Sequence, residues 1–353
     1  MKRFTPFRIM SDNIQLSTQP ALRKIFSDTT TKTELAKAQS VSLASVAVNH
    51  NFLLTLSQLA PESRSTAGFV EIQSFLNQYI SAEQDSTAQQ IVVPQLQTPQ
   101  IDSGTTEKEI QKALSQQKAI LKSVSQGLEN ITTQMRCDRT AAKYQMAKVV
   151  QEGQRLTTGT SFAELWSKIS LAIANIKTNY LDLYADLMSQ YTEFYQYYTT
   201  EFSAKWMNTI DTDGDNKVTV NEGKFAELEF ALIEYYKSHS VYNFDTSKMT
   251  AEQLAQFKET IAPAYVVEND YSLKLNWEDP PSPNAPGGYM RTAQYQAWLS
   301  AFNSIGNTYQ SNMQSLAQRY TQANSTFDNL NKVLSSSITS ESDILSTFIQ
   351  SMT

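Results

Sequence analysis

Apolar residues recur at steps of three and four in two long stretches of the chain. The first runs through Ile169, Ile173, Ile176, Tyr180, Leu183, Leu187, Tyr191, Phe194 and Tyr198. The second runs through Phe302, Ile305, Tyr309, Met313, Leu316, Tyr320, Ala323, Phe327, Leu330, Leu334 and Ile338. Steps of three and four add up to a heptad seam, and an occasional extra four is a stutter. The pattern predicts long helices over 161–204 and 293–353, the first opened by the capping box Ser161-x-x-Glu164. At 1.5 Å per residue the first would be roughly 65 Å long and the second, taken to residue 349, roughly 85 Å. Two seams of matching period, separated by residues 205–292, most simply pair as an antiparallel intramolecular coiled coil. Packing within an ordinary bundle is the competing arrangement.

The other segments have weaker patterns. Residues 106–160 read as a helix opened by Thr106-x-x-Glu109, with a thin seam of Ile110, Leu114, Ile120, Leu121, Val124, Leu128, Ile131 and Met135. So narrow a seam suits packing on a neighbouring helix. A third box, Thr31-x-x-Glu34, opens a helix to about Ala60, and a second follows over 63–84 with Phe69, Ile72, Phe75, Leu76 and Tyr79 on one side. Together with a Pro- and Gln-rich linker they make an N-terminal helical hairpin over 31–105. Residues 1–30 lack periodicity and read as disordered or loosely held. Residues 205–292 differ in texture. Lys217–Val220, Ala264–Val267 and Ser272–Trp277 look like short strands, and helices are expected at about 221–238 and at 251–261, the latter opened by Thr250-x-x-Gln253. Pro280–Gly288 is a loop. The predicted fold is mainly α: a long antiparallel coiled coil with an N-terminal helical hairpin and a small mixed α/β distal insert.

Composition agrees with helices and narrows the chemistry. Only 10 Gly and 10 Pro interrupt 353 residues. Apolar residues make up 41% and charged residues 18%. Ser, Thr, Gln and Asn replace the missing charge, a surface style common in exported bacterial proteins. Net charge is −6, and the 29 basic residues are scattered, with no nucleic-acid stripe. Cys137 is the single cysteine, so no intrachain disulfide forms; a half-buried helix position is expected for it. His50 and His239 have no partner at ligand spacing. With no nucleophile elbow and no phosphate-binding glycine loop, nothing points to an enzyme. The aromatic run Tyr191, Phe194, Tyr195, Tyr197, Tyr198 and Phe202 reads as helix packing before it reads as a ligand surface. No apolar run approaches the ~20 residues of a membrane span. The basic start Met1-Lys2-Arg3 is not followed by the apolar core of a signal peptide, so export would use another route.

One motif carries site chemistry. Asp211-Thr212-Asp213-Gly214-Asp215-Asn216-Lys217-Val218-Thr219-Val220-Asn221-Glu222 fits the calcium loop of an EF-hand. Asp211, Asp213 and Asp215 take positions 1, 3 and 5. The Lys217 carbonyl serves at position 7, Thr219 at position 9, and Glu222 at position 12. Asn216 stands where glycine is usual; Asn tolerates the left-handed conformation better than most residues. Without a second EF-hand to pair with, Ca²⁺ binding here would be weak and structural. A plain polar turn is the competing reading, since Asp-Gly and Asp-Asn suit hairpins.

The second long seam carries more than a period. Tyr295-Gln296-Ala297-Trp298 and the block Arg319–Ile338, containing Tyr320-Thr321-Gln322-Ala323-Asn324-Ser325-Thr326-Phe327-Asp328-Asn329-Leu330-Asn331-Lys332, resemble the type III secretion needle-tip proteins, the IpaD/SipD/BipD family. Leu165–Ile176 is similar to that family's first coiled-coil helix, and Ala264–Val267 to its distal strand. The resemblance implies export by the type III apparatus, a self-chaperoning N-terminal hairpin, and a place at the needle tip on the bacterial surface. There the protein would cap the needle, control secretion, and recruit hydrophobic translocator proteins on host contact. It implies as partners the needle protomer, further copies of the chain in a pentamer and, loosely, bile salts. It also places needle contact near Asn324, Asn329 and Lys332, with Phe327 and Leu334 in the core. The Ca²⁺-loop pattern departs from the Gly/Asp/Asn-rich hairpin of relatives. The rival function is a calcium-responsive helical binding protein or pore-forming toxin of the same architecture.

Overall fold

The computed structural model describes residues 56, 72, 73, 75, 76, 91–93, 107–155, 160–213, 217–247, 249–285 and 287–352. The region expected at 1–30 lies outside them. Of the hairpin expected at 31–105, Leu56, Ile72, Phe75 and Leu76 are described, and all four are helical and buried.

Three long helical segments form the frame. Helix α1 spans Glu107–Arg155. Helix α2, Thr160–Ile176, opens one residue ahead of the expected Ser161 cap. It continues through a π turn at Lys177–Leu181 into α3, Asp182–Tyr197, and a second π turn, Tyr198–Ser203, leads to a last α turn at Ala204–Trp206. Contacts fix the directions. Thr192 meets Met313, Tyr198 meets Tyr309 and Phe302, and Trp206 meets Trp298. The α2–α3 segment is therefore antiparallel to the final helix. On α1, Gln117 bonds Asn303 and Asn331 bonds Gln145, while Lys118 reaches Asn208 and Arg139 reaches Asp182. So α1 lies on both partners, parallel to the C-terminal helix and antiparallel to α3.

That third helix explains why burial is wider than the heptad seam. Besides Leu183, Leu187, Tyr191, Phe194 and Tyr198, the chain buries Tyr184, Ala185, Met188, Thr192 and Tyr195. The aromatic run is packing: Phe194 meets Tyr309 edge-on at 5.3 Å, and Trp206 meets Phe302 at 4.8 Å. Only Tyr197 lies partly outside, stacked on Tyr235 at 3.7 Å.

The insert holds two antiparallel sheets. Strands β1 (Ile210–Asp213) and β2 (Lys217–Val220) pair, and β2 also pairs β6 (Tyr289–Arg291). Strands β3 (Val241–Tyr242), β4 (Tyr265–Val267) and β5 (Leu273–Leu275) form the other sheet, with β5 central. Helix α4, Glu222–His239, is capped by Asn221, whose side chain accepts from the Lys224 N–H at 3.0 Å. Helix α5, Ala251–Ile261, has both bonds of the Thr250/Gln253 capping box. The last helix, α6, spans Thr292–Met352.

Candidate partner-binding and metal-binding sites

The EF-hand-like stretch is a β-hairpin ladder where it is described. Asp211 pairs with Thr219, and Asp213 with Lys217. The Thr219 hydroxyl donates to the Asp211 carbonyl at 3.3 Å. Lys217 lies on the middle strand, opposite Asp213 and Arg291; its ammonium sits 5.2 Å from the Tyr289 ring. Glu222 begins α4, and its carboxylate accepts the Ala285 N–H at 3.1 Å. An acid in the first helical turn is favoured by the macrodipole. Asp215 lies outside the described residues. Asp211, Asp213, Lys217 and Thr219 thus stand in the hairpin ladder, and Glu222 opens the helix that follows it. Among the described residues no three His, Cys, Asp or Glu side chains group as metal ligands.

The positions expected to meet a needle lie along one stretch of α6. Phe327, Leu330 and Leu334 are fully buried, and Ile338 nearly so. Lys332 is exposed, and Asn324 and Asn329 are half-buried. Asn331 faces inward, donating to Gln145 at 3.3 Å. Burial raises the Asp328 carboxyl above its ordinary value, and Gln145 and Lys332 pull it partway back. The stretch thus has an apolar face toward its partner helices and a polar face with Lys332 at its outer edge.

Sequence periodicity missed a polar cluster between α1, α3 and the insert. Lys177 donates to both Asp182 oxygens at 2.9 Å and 2.7 Å, and is itself buried. Five residues separate the pair, too far around an α-helix to face each other, but the π turn brings them together. Arg139 reaches the Asp182 carbonyl at 3.2 Å and pairs with Asp186, whose other oxygen accepts from Tyr242 of β3 at 3.1 Å. Desolvation pulls the Arg139 guanidinium down, yet its bond to Asp186 holds it above its ordinary value. Nearby, Asp138 accepts from Gln134 at 2.7 Å and from Tyr320 at 3.2 Å. The only hint in the sequence was a Lys and two Asp on an otherwise apolar seam. The cluster ties α1, α3 and the insert together.

A family model for type III secretion systems tip complex components matches residues 12–256 and 288–349. The chain belongs to that family. Tip-complex components are structural parts of the secretion machinery, not enzymes. Among curated relatives, this tip-complex chain is 34% identical to Invasin IpaD of Shigella flexneri over 197 residues, which cover 52% of the chain and 59% of the relative. It is 30% identical to Cell invasion protein SipD of Salmonella typhimurium over 218 residues, covering 55% and 63%. The chain therefore spans less than two thirds of either relative. A solved structure of BipD of Burkholderia pseudomallei aligns with 61% of this chain and 81% of that one, at 20% identity and a TM-score of 0.47. No described helix of the tip-complex chain is long and apolar enough to cross a membrane.

Proposed function

We propose that this tip-complex component caps a secretion needle at the bacterial surface, restrains secretion, and scaffolds hydrophobic translocator proteins on host contact. It docks on the needle protomer through the outer face of α6, with Lys332, Asn329 and Asn324 as contacts, and several copies assemble at the tip. The observation that carries this reading is the family match, which runs along α6 to residue 349. The side-chain arrangement of α6 supports it: Phe327, Leu330 and Leu334 are consumed by packing while Lys332 and Val333 are left outside. Exposed polar side chains on a rigid helix suit a partner surface.

The test is capture of purified needle protomer by the full chain. Lys332→Glu with Asn329→Ala should weaken capture by about tenfold or more, as loss of contact charges does at interfaces. Undiminished capture and unchanged secretion control would retire these contacts.

A further inference from the structure

The basic residues look scattered in sequence, but the fold lines up several of them on the outer face of α1. At 100° per residue, Lys108, Lys112, Lys118, Lys122 and Arg136 fall within an arc of about 120°. All five are exposed. Ile110, Leu121, Leu128 and Met135, on the opposite side of the helix, are buried. Along the axis the four lysines span about 21 Å, and Arg136 extends the row to about 42 Å.

The charge of this row is unmatched. None of the five is in an ion pair among the described residues. Lys118 donates to the neutral Asn208 amide oxygen at 2.7 Å, which leaves its charge uncompensated. Between Glu109 and Asp138 the one carboxylate on α1 is Glu129. By contrast, Lys205 and Lys237 each stand beside a glutamate of their own helix, Glu201 and Glu234. In a chain of net charge −6 the row is a local reversal of sign.

The positions between the cations narrow the kind of partner. Gln111, Ser115, Ala119 and Gln126 are exposed there. No exposed large apolar side chain lies on α1 between Lys108 and Arg136 among the described residues. A membrane-surface helix sinks Trp, Phe or Leu into the lipid boundary. A single-strand nucleic-acid binder stacks bases on aromatic rings. A protein interface is centred on buried aromatic or aliphatic anchors. This face offers none of these. It offers a straight row of flexible cations with amide and hydroxyl groups between them. Its complement is a linear polymer of fixed anions carrying hydroxyls.

We propose that the outer face of α1 binds a linear sulfated polysaccharide. Its sulfates pair with Lys108, Lys112, Lys118, Lys122 and Arg136, and its ring hydroxyls bond Gln111, Ser115 and Gln126. Each pair stays in water and is weak alone. The affinity comes from several pairs formed together, with release of the counterions condensed on the polyanion. The proposal rests on the tip-complex reading only for access to such a polymer outside the cell.

Fluorescence anisotropy of a labelled heparin fragment, titrated with the full chain at low salt, tests it. Binding should saturate, and its logarithm should fall linearly with the logarithm of salt. Lys112→Glu/Lys122→Glu should weaken it at least about tenfold, and Lys112→Gln/Lys122→Gln should do so to a smaller degree. Lys224→Glu/Lys237→Glu on α4 should leave it nearly unchanged. Fully desulfated heparin, which keeps its carboxylates, should lose most of the binding. Absence of binding at low salt would overturn the proposal. So would affinity indifferent to both α1 variants, an equal loss in the α4 variant, or tighter binding of phosphatidylglycerol vesicles or single-stranded DNA than of heparin. Needle-protomer capture by the same variants shows that they are folded and keeps the two readings apart. Lost heparin binding with normal capture concerns this face, and lost capture by the α6 variant concerns the needle contact.

Discussion

Lys177 and Asp182 form a nearly buried ion pair, with side chains 7% and 18% exposed. Removing one member of such a pair strands the other charge, which costs far more than exchanging both for apolar groups. Lys177→Met should therefore lower stability by about 3 kcal/mol, and Lys177→Met/Asp182→Leu should recover most of it. Denaturant titrations of the three proteins check this; equal losses in the single and double variants would contradict it. Asp328 behaves differently. Burial, opposed by Gln145 and Lys332, raises its carboxyl above 3.8 in the folded chain. The folded state then holds that proton more tightly than the unfolded state. The stabilisation is complete below the unfolded value and is lost as pH rises through the folded one. At neutral pH the ion is a net cost, so Asp328→Asn should raise the melting temperature there, with the gain shrinking as pH falls toward 3.8.

Glu222 shows how an element can override a motif. Its carboxylate holds the Ala285 N–H across 63 positions of sequence, a partner no local pattern announces. Glu222→Ala should speed amide exchange across the loop before β6 while α4, still capped by Asn221, keeps its protection. The same geometry governs calcium. Binding would require Glu222 to leave Ala285 and the Asp211–Thr219 pair to open, so no saturable heat is expected below about millimolar calcium. Calorimetry with Asp211→Ala/Asp215→Ala as control decides it, and a micromolar isotherm lost in the double variant would show that the loop does close. The helices were legible because their three-and-four spacing is strong and local. So were α5 and its cap, which depend on Thr250 and Gln253 alone. The π turns were not, because one added residue leaves a three-and-four seam looking unbroken. The hairpin was legible only as an alternative, because Asp-Gly-Asp-Asn serves an ion loop and a tight turn equally well.

At the scale of the whole molecule, packing and the proposed needle contact use different residues of one helix. Phe327→Ala should cost about 3–5 kcal/mol of stability, whereas Lys332→Glu should lower stability far less, through the charge it sets beside Asp328, and act chiefly on needle capture. Measuring both on both variants separates them; a large melting shift in Lys332→Glu would make it a core residue after all. The buried places of Phe327 and Leu334 on α6 were legible from the heptad seam. The two π turns matter on this scale too. Each adds about a quarter-turn of phase to the helix, because one extra residue shifts everything beyond it by roughly 100°. Deleting a residue between Lys177 and Asp182 would bring that pair to the better i, i+4 spacing and mend the local helix. It would also swing Ile169, Ile173 and Ile176 off their partners. Related chains aligned with this one should therefore show a one-residue gap at 177–181 only where the apolar positions upstream have shifted by one as well.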